Sequence, residues 1–213
     1  VFITNMLPRH ASQVEQLLRR SEGMAPDQED YRMYSVAQIS QHIRKFPEGQ
    51  FVALIDGKVV GFALTMRTNR SPYAKPQRWL EAIGGLDVRN HDPEGQWLYG
   101  VEFAVDPDYR RAGIGRQLYA ARFAMVERLN LRGFYAGGVL QGYRNHASQM
   151  SIEQYAELVK TGQIYDPTVS MQMKSGFKPI SLIRYYTGDE PIINEAMLIY
   201  WENPHYQEVA AGV

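Results

Sequence analysis

The stretch that decides the fold is LYGVEFAVDPDYRRAGIGR, residues 98–116. Leu98–Val105 reads as an apolar strand and Asp106-Pro107 ends it. Arg110-Arg-Ala-Gly113-Ile-Gly115-Arg116 then opens a helix. A strand that passes through a loop rich in free N–H groups to a helix N-terminus is suited to hold an anion. Glycine lets the backbone approach a phosphate where a Cβ would intrude. The unpaired N–H groups of a first helical turn point outward, and the helix dipole favours negative charge by up to about 2 kcal/mol. Arg110, Arg111 and Arg116 add positive charge. By itself such a Gly-x-Gly is equally a glycine-softened helix start with solvated arginines. A dinucleotide fingerprint would carry a third glycine and a partner acid, and a Walker A loop would continue into Lys-Ser/Thr. Neither is present.

Working outward, the helix over Gly113–Leu131 has apolar Ile114, Leu118, Ala121, Met125 and Leu129 near helical spacing. Phe134–Leu140 reads as a strand with Gly137-Gly138 inside it, which suggests a bulge or the close approach of another group. Ser151-Ile-Glu-Gln154 is a capping box that starts a helix to about Thr161. Asp166-Pro167 is an N-cap followed by proline at the first helical position, for a helix to Ser175 that stops at Gly176. Phe177–Tyr186 and Ala196–Trp201 are the last two strands. Upstream, Val1–Met6 is a short strand and His10–Arg20 a helix with Val14, Leu17 and Leu18 on one face. Residues 21–34, with Gly23 and Pro26, form a loop, and Ser35-Val-Ala-Gln38 is another capping box, for a helix to about Lys45. Phe51–Ile55 and Val59–Met66 form the clearest hairpin, with Asp56-Gly57 suited to a tight turn of positive φ. Residues 68–97 break the pattern with prolines and glycines among Trp79, Leu80 and Ile83. They are expected to be a loop with one short strand at most, packed over the sheet mouth as a lid. The order predicts an α+β or mixed α/β fold around one central sheet, with residues 1–213 as a single domain.

Composition narrows the function classes. The formal net charge is zero over 213 residues, which argues against a broad nucleic-acid or membrane footprint, so any anion site must be local. There is no cysteine, which excludes disulfides, thiolate metal sites and a Cys nucleophile. The five histidines lack metal-site spacing, so no metal is expected. No apolar run approaches the ~20 residues of a membrane span, and VFITNM lacks a signal-peptide core, so the expected location is cytoplasmic.

Val101–Gly115 resembles the acyl-CoA-binding motif of the GNAT N-acetyltransferase superfamily, Arg/Gln-x-x-Gly-x-Gly/Ala after an apolar strand and a turn, with Arg110, Gly113 and Gly115 at the fixed positions. Met171–Pro179, with Gly176-Phe177, resembles the family's second motif. His91–Gly95, Leu98–Gly100, Gly137-Gly138, Ile164–Pro167 and the insertion at 141–165 are similar to the subgroup associated with nitrilase-like carbon–nitrogen hydrolases. The resemblance implies a mostly antiparallel mixed sheet, flanked by helices and splayed between its fourth and fifth strands. It implies acetyl-CoA or coenzyme A as cosubstrate. The pyrophosphate would lie on Arg111, Ala112, Gly113, Ile114, Gly115 and Arg116, with Arg110 beside them. The pantetheine arm would pair with Phe103 and Val105 around Ala104, in the gap between the two strands. Partners implied are an amine acceptor and an adjacent or fused hydrolase or carrier domain. The final strand, ending in Tyr200-Trp201, suggests pairing between two copies.

Acetyl transfer to an amine needs a neutral amine, a polarised thioester carbonyl and a proton for the departing thiolate. A lysine amine is neutral about once in ~10³ molecules at pH 7, some 4–5 kcal/mol uphill, so a general base is expected. Glu102 is the acid in the strand and the leading candidate. Alternation leaves open whether it faces the cleft or a salt bridge outside it, and a bulge would decide. Many GNAT enzymes place a proton-donating Tyr four residues before the Gly of Gly-Phe, where this chain has Gln172. Tyr143, His146 and Tyr165 in the insertion are the substitutes to weigh, each also a candidate for plain packing. His91 is either a substrate contact or lid latch, or part of a polar turn. Besides an N-acetyltransferase, two functions stay open. One is a GNAT-like decarboxylating or acyl-loading domain acting on a carrier-protein thiol, as in polyketide loading modules. The other is a non-catalytic acyl-CoA-sensing module.

Overall fold

The computed structural model describes residues 1–25, 28–189 and 194–208; Pro26, within the loop expected at 21–34, lies outside them. The chain runs β1 (Phe2–Asn5), α1 (Ala11–Ser21), α2 (Val36–Lys45), β2 (Phe51–Ile55), β3 (Lys58–Thr68), α3 (Trp79–Ile83), β4 (Trp97–Val105), α4 (Ile114–Arg128), β5 (Gly133–Val139), α5 (Ile152–Lys160), α6 (Val169–Lys174), β6 (Lys178–Ile183) and β7 (Ala196–Glu202). One sheet of order β1-β2-β3-β4-β5-β7-β6 carries it, with every pair antiparallel except β4–β5. Helices cover both faces. Val14, Leu17, Ile39 and Ile83 pack one core from α1, α2 and α3, and Ile114, Leu118, Tyr155 and Val169 pack the other from α4, α5 and α6.

Local signals account for most boundaries. Asp56 (φ 48°) and Gly57 (φ 77°) both take the positive φ that a two-residue hairpin turn demands. Ser35 and Gln38 exchange side-chain and backbone hydrogen bonds at the start of α2, as Ser151 and Gln154 do at α5. The segment 68–97 contains no strand of its own. Trp79 and Ile83, four residues apart, bury together as the short helix α3, and Gly84 at φ 76° ends it. The last strand is not a free edge: β7 is bonded on one side to β5 and on the other to β6, so β1 and β6 form the sheet edges and Tyr200-Trp201 offers no strand pairing.

Asp166 sets α6, though two residues further on than Asp166-Pro167 predicted, since the cap residue is Thr168. Its buried carboxylate accepts from the backbone N–H groups of Thr168 and Val169 (2.9 Å each) and Gly142 (2.9 Å), and from the Tyr155 hydroxyl (3.1 Å). Asp166→Ala strands these donors in the interior. The expected cost is about 3 kcal/mol, a fall of roughly 6–12 °C in thermal midpoint for a chain of this size, measurable by calorimetry.

Candidate functional site

β4 and β5 are paired only through Trp97–Gly100 with Gly133–Ala136. Beyond that, β4 continues along β3 to Val105 while β5 continues along β7 to Val139, so the two strands part. Asp106 N–H donates to Val60 O (3.0 Å). By antiparallel alternation Glu102 and Ala104 bond to β3, and Phe103 and Val105 turn their backbone groups into the gap. Ala104, named with the arm-binding residues, therefore spends its backbone on the ladder. Chain-internal groups cover the gap edge. The Phe103 N–H donates to Glu102 Oε1 (2.9 Å), and Arg110 Nε donates to Val105 O (3.3 Å).

The loop at the end of β4 is held from below by Asp106. Its carboxylate is buried, accepts from Asp108 N–H (3.1 Å), and meets Arg20 Nη2 at 3.1 Å and Lys58 Nζ at 3.6 Å. Arg111 (φ 64°) and Gly113 (φ 77°) turn the backbone twice, and Gly113 is the residue before α4. The N–H groups from Arg111 to Arg116 find no acceptor among the described residues. Arg110, Arg111 and Arg116 are exposed and make no ion pair among those residues. Gly115 lies close over the Phe103 ring, where a Cβ would sit 3.3 Å from the ring edge.

A bulge decides where Glu102 points. The register of β3 against β4 steps from Leu64–Glu102 to Thr65–Gly100, leaving Val101 without an opposite residue. Tyr99 and Val101 face the core of α1–α3. Regular alternation would send Glu102 to the α4 face, and the extra residue returns it to the α1–α3 face, where its charge acts on buried Tyr34 and Tyr186. Removal from water, opposed by the Phe103 N–H, pushes its carboxyl up to about 7. Around it stand Tyr34, whose buried hydroxyl has no hydrogen-bond partner among the described residues, and Tyr186, whose hydroxyl bonds that of Tyr99 at 2.8 Å. Trp79 donates from Nε1 to Val101 O (2.8 Å), so the 68–97 segment closes over this cleft as expected. His91 Nδ1 accepts from Arg67 N–H (3.1 Å) and its ring stacks on Phe46, which ties the segment to β3.

The glycines of β5 serve close approach, with no bulge. A Cβ at Gly137 would enter the Tyr186 ring and one at Gly138 would enter the Gln172 amide. On this α4 face Gln172 donates from Nε2 to the Tyr119 hydroxyl (3.0 Å), and Tyr119 stacks on Phe103. Arg122 lies beneath, buried, with its guanidinium 4.2 Å from the ring centre of Tyr119 and 5.0 Å from those of Phe103 and Phe134. The hydrogen bonds and ring contacts of Tyr143, His146 and Tyr165 stay within the insertion and α6: Tyr143 bonds Met150 O, His146 packs on Tyr155, and exposed Tyr165 lies under Lys174. Tyr119 and Arg122 went unremarked in the sequence, although Arg122 sits in step with Ile114, Leu118 and Val126 on the apolar stripe of α4, a place where a charge is a signal. Among the described residues no helix is long and apolar enough to cross a membrane, and no cluster of His and acidic groups could hold a metal.

Residues 12–147 match the model of the acetyltransferase (GNAT) family. The chain is 36% identical over 166 residues to a probable hydrolase, YhcX, of Bacillus subtilis (strain 168), an alignment that covers 78% of this chain and 32% of that protein. It is 31% identical over 178 residues to an uncharacterized N-acetyltransferase, YkwB, of the same organism, covering 84% of this chain and 79% of that one. The chain thus spans about a third of the length of the first relative and about four fifths of the second. Among solved structures it superposes with a TM-score of 0.80 on the GphF GNAT-like decarboxylase in complex with isobutyryl-CoA, at 21% identity, over 95% of this chain and 100% of that one.

Proposed function

The chain belongs to the acetyltransferase (GNAT) family, and from that premise we propose that it binds acetyl-CoA or a related acyl-CoA and transfers the acyl group to an amine. One observation carries the proposal. The strand edge exposed where β4 leaves β5 runs directly into a loop of unpartnered N–H groups at the start of α4. An extended arm with amide groups suits the first feature and a pyrophosphate the second. The residues of the cradle are Arg110 to Arg116, with Phe103 and Val105 along the arm; Glu102 and Arg110 side chains give up the Phe103 N–H and Val105 carbonyl as the arm arrives.

Glu102 takes the proton of the incoming ammonium from the α1–α3 side, in a cleft walled by Tyr34, Trp79 and Tyr186. The Phe103 N–H, once released, donates to the carbonyl oxygen as charge develops there, and the departing CoA thiolate takes the second proton, which the acylated nitrogen gives up. The absence of cysteine makes the test direct, because a thiol reagent reports only coenzyme A. Titration calorimetry is expected to show CoA binding, and acetyl-CoA with a panel of amines is expected to release free CoA in proportion to amine. No binding of CoA would overturn the proposal.

The overall shape shared with the GphF GNAT-like decarboxylase favours a second reading, delivery of the acyl group to a carrier-protein thiol. Acyl loading of a carrier protein in place of amine-dependent CoA release would select it. The partial span of the hydrolase-named relative supports a neighbouring hydrolase unit as partner.

A further inference from the structure

On the α1–α3 side of the sheet a cavity runs beneath the segment that follows β3. Its floor is laid by neighbouring strands β3 to β6, through Met66, Tyr99, Tyr135, Leu198 and Ile183, and residues 70–77 roof it. Its volume is about 30 Å³. Roughly 10–15 Å³ holds one water and about 150 Å³ a benzene ring, so the space is a slot for a methylene chain. Two cations line it, Arg70 and Lys75, both exposed. Among the described residues no carboxylate lines it and neither cation makes an ion pair, whereas nearby Arg78 is paired with Asp189 (2.6 Å). Arg70 is held in place. Its N–H donates to Thr68 Oγ1 (3.1 Å), its carbonyl accepts from the Tyr135 hydroxyl (3.0 Å), and its Nη2 donates to Lys75 O. The remaining donors of its guanidinium have no acceptor among the described residues.

The slot and the Glu102 cleft share their walls. Tyr99 floors the slot, and its hydroxyl bonds that of Tyr186 (2.8 Å), on which the charge of half-buried Glu102 acts. Ala82 of α3 lines the slot, while Trp79 of the same helix bonds Val101 O beside Glu102. Along β4 the way from Tyr99 to Glu102 is about 7–10 Å, at ~3.3 Å per residue less what the bulge takes up. A base thus stands beside one end of an apolar slot, and two cations without a counter-ion line the other. We propose that the slot takes the acceptor, and that the acceptor is a slender aliphatic amine ending in a carboxylate, an ω-amino acid of about eight carbons. The proposal deepens the acyl-transfer reading above and rests on it. A carboxylate matches the planar fork of Arg70 and supplies the charge that the rim lacks. An α-amino acid is too short, since its amine and carboxylate sit on one carbon, and a diamine would set a second cation against Arg70 and Lys75.

Rates of CoA release at saturating acetyl-CoA test it, with 8-aminooctanoate, octylamine, 1,8-diaminooctane and 4-aminobutanoate as acceptors. The wild type is expected to show a kcat/KM for 8-aminooctanoate at least about tenfold above each of the other three. The double variant Arg70→Ala/Lys75→Ala is expected to bring the ratio of 8-aminooctanoate to octylamine down to about one. Lys75→Glu keeps the backbone carbonyl that Arg70 bonds. It is expected to shift the preference towards 1,8-diaminooctane, a gain that damage to the fold does not produce. Equal kcat/KM for 8-aminooctanoate and octylamine in the wild type overturns the proposal, and so does a preference that survives in the double variant. Release with other amines but none with 8-aminooctanoate overturns the slot alone. Release with no amine, although CoA binds, overturns the amine-transfer reading and the slot with it.

Discussion

Glu102→Gln is expected to lower the rate of acyl transfer by about 10²–10⁴-fold while CoA affinity stays unchanged. The size follows from what the carboxylate does. An amine near pKa 10.4 arrives protonated, and a base close to neutrality is the best match for taking its proton at physiological pH. Burial pushes the Glu102 carboxyl up to about 7, against the pull of the Phe103 N–H. The base works ionised, so the wild-type rate is expected to rise with pH through about 7, and the variant is expected to lose that limb. A variant with wild-type turnover and an unchanged pH profile would remove Glu102 from the mechanism. The stability effect has the opposite sign. The folded protein holds this proton more tightly than the unfolded chain, whose Glu titrates near 4.5, so the contribution is whole below that value and is lost as pH rises through about 7. Gln does not ionise. The variant is therefore expected to be more stable than wild type above pH 7, by on the order of 1–3 kcal/mol, and to match it in acid. Thermal midpoints at the two pH values read this directly.

What the sequence made legible was local. The hairpin at Asp56-Gly57 and the boxes at Ser35 and Ser151 are decided by backbone preferences and neighbours within four residues, and they stand where expected. The turn into α4 is likewise written in Gly113, which takes the positive φ there. The direction of Glu102 was not legible, because it depends on one unopposed residue, Val101, in a register set between β3 and β4. No property of Val101 itself announces the bulge. The aromatic wall around Glu102 comes from residues 34, 79 and 186, whose convergence is a tertiary fact. The segment expected to be a loop with one short strand at most holds α3 instead, because the Trp79–Ile83 spacing, short as it is, buries both ends of one turn against the α1–α2 core. The final strand looked free because its partners lie on either side in space: β5 before it, across two helices of chain, and β6. Arg122 differs from these. A charge in step with Ile114, Leu118 and Val126 was visible, and only its lack of an acid partner needed the structure.

Gly113→Val is expected to weaken CoA binding by about 10–100-fold with little loss of global stability. The residue holds φ 77° just ahead of α4, and nothing lies within 4 Å of the place a Cβ would take. The substitution therefore meets no clash in the resting protein, and its effect is conformational. A β-branched residue at positive φ costs roughly 1–3 kcal/mol, and the loop relaxes that strain by rotating the peptide groups on either side. Those groups include the unpartnered N–H groups proposed to face the pyrophosphate, so the rotation spends the anion site. Gly115→Ala isolates the other contribution. Its Cβ lies 3.3 Å from the Phe103 ring, so it disturbs the gap wall while leaving the turn at Gly113 intact. Titrating both variants with CoA and with ADP, which keeps a pyrophosphate and lacks the arm, separates the two. Gly113→Val is expected to lose affinity for both ligands and Gly115→Ala mainly for CoA. If Gly113→Val binds both as the wild type does, the anion is not held by this turn.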